Sequence, residues 1–132
     1  MGTHKNTITR LSDAAITTKN LLVKVGSDAD HFAIMAAVTD LPLGVCVDTP
    51  AAAETPHAIR LLASTDETVE MVAAEAIDAG EEVYAHSNGK VTDLPTDAAT
   101  YYRVGRALTA AEADGDVLEV EPCYPQAVVV SG

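Results

Sequence analysis

One stretch constrains this chain more than any other: Ala76-Ile77-Asp78-Ala79-Gly80-Glu81-Glu82-Val83-Tyr84-Ala85-His86-Ser87-Asn88-Gly89-Lys90-Val91-Thr92. Ala79-Gly80 interrupts whatever precedes it, because glycine reaches backbone angles that other residues avoid. Val83 and Ala85 alternate with Tyr84 and His86, the two-residue period of a strand with two distinct faces. Asn88-Gly89 is a strong hairpin signal, since both central residues of a type I′ turn need positive φ. A strand, a tight turn and a returning strand are therefore written into this short run.

The same order of features occurs 61 positions upstream. Ile16 matches Ile77, Leu22 matches Val83, Ser27 matches Asn88, Gly44 matches Gly105 and Val47 matches Leu108. The register holds without a gap from Ile8 and Val69 to Pro50 and Ala111. The last strands, 58–62 and 117–121, align if the first Ala-rich loop is two residues longer than the second. This pattern predicts an internal repeat, 6–63 and 67–121, followed by a C-terminal extension over 122–132. Units this small should not bury separate cores, so one domain over 1–132 is expected.

Strands are predicted at Leu21-Leu22-Val23-Lys24-Val25, His31-Phe32-Ala33-Ile34-Met35, Leu43-Gly44-Val45-Cys46-Val47 and Ala58-Ile59-Arg60-Leu61-Leu62. In the second half they are predicted at Thr68-Val69-Glu70-Met71-Val72, at Tyr101 through Leu108, and at Val117-Leu118-Glu119-Val120-Glu121, with Leu118 and Val120 buried. Helix over 67–79 is the rival there, because Ala and Glu are good helix formers. Thr49 to Pro56 is bounded by prolines and reads as a loop or one helical turn. The fold class is therefore all-β, a compact barrel or sandwich with one or two helical turns at most.

Twenty acidic residues against eight basic ones leave a net charge of −12. Phosphate backbones would be repelled, so neither nucleic acid nor an anionic membrane is an expected partner. No apolar run reaches the roughly 18 residues of a membrane-spanning helix. Cys46 and Cys123 have no metal-motif spacing and make no disulfide framework. The N-terminus lacks a signal-peptide core, so synthesis in a reducing cytoplasm is expected.

The ordered set Ala76 to Tyr84, Asn88-Gly89-Lys90-Val91-Thr92, Val104-Gly105-Arg106-Ala107-Leu108 and Gly115-Asp116-Val117-Leu118-Glu119-Val120, with Leu43-Gly44-Val45-Cys46-Val47 in the first half, resembles the capsid decoration (cement) proteins of tailed bacteriophages. The resemblance spans about 16–121. It implies a structural virion protein on the outer surface of the phage head. Its partners would be the major capsid protein, whose subunits it would bridge, and itself, as a homotrimer. It implies no catalytic residues, cofactor or metal.

Contacts with capsid or subunits are expected from the two ends: Thr7, Ile8, Thr9, Arg10 and Leu11 on one side, Tyr124, Val128, Val129 and Val130 on the other. The residues offer little else. His4, His31, His57 and His86 have no ligand spacing. Asp28 and Asp30 begin a calcium-loop pattern but lack its later positions. No serine sits in a nucleophile elbow. The rival class is a prosthetic-group or small-ligand carrier domain, with Lys90 beside a hairpin tip; a head-fibre base or adhesion module is another.

Overall fold

The computed structural model describes residues 7–49, 51–62, 67–93 and 95–131. Ten strands run through them: β1 (Thr7–Ser12), β2 (Leu22–Val25), β3 (His31–Ile34), β4 (Gly44–Cys46), β5 (Pro56–Leu61), β6 (Val69–Val72), β7 (Glu82–Ala85), β8 (Val91–Thr92), β9 (Ala99–Ala107) and β10 (Val117–Val130). Apart from a single 3-10 turn over Ser87–Gly89, the described residues are strand and loop. The helix considered for 67–79 does not form. Val69, Met71 and Val72 are buried around an exposed Glu70, so β-branched side chains pack in a sheet where a helix would have restricted them.

The first five strands close a barrel in the order β1-β3-β2-β4-β5, with β5 returning antiparallel to β1. The second five form a sheet in the order β6-β10-β9-β7-β8. With β1 matched to β6, β2 to β7 and so on, the second order is the first one followed round the other way from its first strand. In the barrel, β1 pairs with β3 in parallel at Leu11–His31 and Ser12–Phe32. At the corresponding seam of the second sheet, a parallel bridge joins Ala73 to Val91.

The registers also repeat. Gly44 lies opposite Leu61 and Gly105 opposite Pro122; Ile8 lies opposite Ile59 and Val69 opposite Val120. These pairs place Pro56 with Val117 and Ile59 with Val120, a shift of 61 with no insertion. The two-residue adjustment expected from the sequence is therefore a correction. It came from aligning the first apolar residues of the last strands, whereas β5 begins two residues earlier, at Pro56, opposite Leu11. Pro56 fits there as the first residue of a strand. The residues set apart as an extension, from Pro122 to Val130, continue β10.

Gly44 and Gly105 have one physical task. A Cβ on Gly44 would lie 2.3 Å from the Arg60 carbonyl oxygen, and one on Gly105 the same 2.3 Å from that of Glu121. Only a residue without Cβ lets these strands cross so closely.

The buried apolar residues fall into two clusters. Ile8, Ile16, Val23, Phe32, Cys46 and Ile59 fill the barrel by themselves. A larger cluster takes Leu22, Met35, Val45 and Leu62 from the barrel's outer side and joins them to Val69, Met71, Val83, Val104, Leu118, Val120 and others of the second half. Strand alternation explains the split: Leu22 and Val23 are neighbours on β2 and face opposite clusters. The hairpin tip adds to the joint. Asn88 and Gly89 take φ of 62° and 74°, as the sequence required. A Cβ on Gly89 would lie 2.8 Å from the Leu22 carbonyl oxygen, so the tip packs against the barrel.

Candidate assembly surface

The surface of interest is made by an irregularity in β10. Pro122 pairs with Gly105 and Gln126 with Arg103, so Cys123, Tyr124 and Pro125 all face Val104. Extra residues in one strand bend it and re-aim its side chains. Pro125 is tolerated there because a bulged position need not donate to the ladder. The bulge pushes Tyr124 outward, where it is 68 % exposed. Tyr124 and Pro125 become one wall of an apolar groove of about 210 Å³. The other wall comes from the barrel: Val25 at the end of β2, Leu41-Pro42-Leu43 before β4, and Leu61 at the end of β5.

One ion pair adjoins the groove. Lys24 Nζ meets Asp40 Oδ2 at 3.1 Å. Asp40 also accepts from the Ala36 and Ala37 N–H groups, and the bond from Ala37, then Lys24, holds its carboxyl below the usual range. Elsewhere, Arg60 meets Glu67 at 3.3 Å, and Arg103 Nε lies 3.2 Å from Glu82. Burial pushes the Cys123 thiol above its ordinary range, which keeps it neutral. Beyond the bulge, Gln126-Ala127-Val128-Val129-Val130-Ser131 carries no charge. One edge of this segment pairs with β9, from Arg103 back to Ala99. Among the described residues no strand pairs with its other edge.

The expected contact residues divide. Tyr124 lines the groove, Val129 is 76 % exposed, and Val128 and Val130 are half-buried. In β1, Thr7 and Thr9 are exposed and Arg10 and Leu11 half-buried, but Ile8 is core and faces inward. β1 is paired on both sides, with β5 along its length and β3 at its end, so it is no free arm. Sequence reasoning missed Val25, Leu41, Pro42, Leu43, Leu61 and Pro125. The usable signal was Leu41-Pro42-Leu43, an apolar triplet in a loop.

Other polar clusters hold the fold. Both ring nitrogens of His31 face carboxylates: Nδ1 donates to Asp28 at 2.6 Å and Nε2 to Glu54 at 2.9 Å. Two donated bonds require the imidazolium, and these two, that to Asp28 first, raise its pKa to about 9. Burial and then Glu75 raise the Asp93 carboxyl, while Thr92 Oγ1 donates to Glu75. Lys90 is held by Asp114 at 2.6 Å, and the adjoining tip is packed on the barrel, unlike a carrier lysine presented at a free tip. Among the described residues no group of three or more His, Cys, Asp or Glu could hold a metal ion.

The fold and the groove define a small all-β protein whose distinctive surface suits contact with other protein surfaces. Residues 2–122 match the family described as phage cement protein, and the chain belongs to that family. No curated protein gives a significant match. Among solved structures, the chain is similar to the head fiber gp8.5 N base of bacteriophage phi29, with a TM-score of 0.65 and 16 % identity over 91 % of this chain and 95 % of that one.

Proposed function

We propose that this protein decorates the outer surface of a tailed-phage head, binding as a homotrimer and bridging neighbouring major capsid subunits against internal pressure. It acts by contact alone, without a catalytic step or cofactor. Family membership over 2–122 carries the reading. The apolar groove beside the uncharged end of β10 supports it, because an acidic protein must approach its partners through surfaces free of repulsion.

Cosedimentation with expanded heads of the parent virus, with unexpanded shells as control, tests it. Binding to expanded heads is expected; binding to neither overturns the proposal. Truncation from Tyr124 onward is a poor probe of contact, because it would strip β9 of its partner from Ala99 to Arg103. The likeness to a head-fibre base favours a second reading, in which the protein seats a fibre on the head. Capture of a fibre protein from the same virus, with no binding to fibreless heads, would select that reading.

A further inference from the structure

We infer that the groove is the seat of a second copy of this chain, filled by the uncharged segment 126–131 with Val129 as its central side chain. The inference rests on the proposed reading of this region as an assembly surface, and names the parts that meet.

Charge decides the occupant. Each copy carries −12, so two copies repel wherever their ordinary surfaces meet. Lys24 and Asp40, each next in sequence to a lining residue (Val25 and Leu41), neutralise one another at 3.1 Å. That pair leaves no net charge beside these residues, and the lining side chains are apolar apart from the Tyr124 hydroxyl. Segment 126–131 is equally free of charge. Among the described residues, Val129 at 76 % and Tyr124 at 68 % are the most exposed large apolar side chains, and they lie on these two parts. Each would leave water by meeting the other's surroundings. The open edge of β10 adds backbone donors and acceptors for an incoming strand.

Segment and groove are different patches on one protomer, so the contact is heterologous. Such contacts close into a ring or propagate.

Two exposed positions test the inference in the full-length chain. Val129→Asp charges the segment; Leu41→Asp charges the groove, where Leu41 is 56 % exposed. Sedimentation equilibrium should show self-association of the wild type, weakened at least about 30-fold in either variant. Circular dichroism melting should leave both folds intact; a variant that melts early is replaced by Val129→Ser or Leu41→Ser. Mixing supplies the decisive result. Val129→Asp keeps its groove and Leu41→Asp its segment, so the mixture should form 1:1 heterodimers that grow no further. A wild type monomeric at about 1 mM overturns the inference, as do variants that associate normally or a mixture that stays monomeric. Head cosedimentation of the wild type is read separately: its failure removes the capsid role, while failure of mixing removes only the segment-in-groove contact.

Discussion

Replacing Gly105 by alanine should separate the effect of close strand approach from ordinary glycine chemistry. The new Cβ would sit 2.3 Å from the Glu121 carbonyl oxygen and 2.6 Å from a Val120 methyl. The obstacle is backbone, so β9 and β10 must part by roughly 1 Å to reach normal contact. Overpacking of this kind costs about 1–3 kcal/mol, and each weakened ladder bond adds about 1 kcal/mol. The expected loss is therefore about 2–4 kcal/mol, or roughly 8–16 °C in Tm for a chain of this size. Gly44→Ala should cost the same within about 1 kcal/mol, because its Cβ meets the Arg60 carbonyl at the same 2.3 Å. Gly115→Ala is the control. Gly115 has φ of 92° and nothing within 4 Å, so alanine there meets only the left-handed penalty of about 1 kcal/mol. The chain has no tryptophan, so urea and thermal unfolding are followed by circular dichroism. If Gly105→Ala costs no more than Gly115→Ala, the argument from close approach is wrong.

Phe32→Ala, in the barrel's own cluster, should cost about 3–5 kcal/mol, and Leu118→Ala, in the shared cluster, about 2–5 kcal/mol, both read from urea midpoints. The His31 contribution depends on pH with a definite sign. Its pKa is raised from 6.5 to about 9, so the stabilisation is full below 6.5 and is lost as pH rises through about 9; the lowered Asp28 carboxyl preserves it down to the ordinary 3.8. His31→Gln should therefore fall furthest below the wild type near pH 5.5 and approach it near pH 9.5, and equal gaps at both would refute the ion-pair account. Asp93→Asn should stabilise the protein at neutral pH by up to about 1 kcal/mol, since the raised carboxyl is disfavoured in its charged form beside Glu75 and Glu81. That gain should vanish as pH falls below 3.8, where the residue is protonated in both states.

Much of the fold was legible because strand signals are local. Alternation located β6, β7 and the start of β10, including the burial of Leu118 and Val120. Asn88-Gly89 announced its turn because positive φ is a property of two residues. Less legible was the last strand of the first half, since proline at 56 read as a boundary while the barrel used it as an edge start. The division into two clusters was also hidden: Leu22 and Val23 are equally apolar, and nothing local tells which faces the barrel interior and which the second half. Ile8, named for contact with the rest of its strand, lies in the barrel's own cluster.

By itself the sequence determined an all-β chain with matching features 61 residues apart, because strand period, turn chemistry and glycine positions act over a few residues. The groove belongs to the tertiary structure. Val25, Leu41, Leu61 and Tyr124 are far apart along the chain, and a bulge in β10 turns the last of them toward the others. Where a bulge sends a side chain depends on the strand paired beside it, and that pairing is absent until the chain has folded.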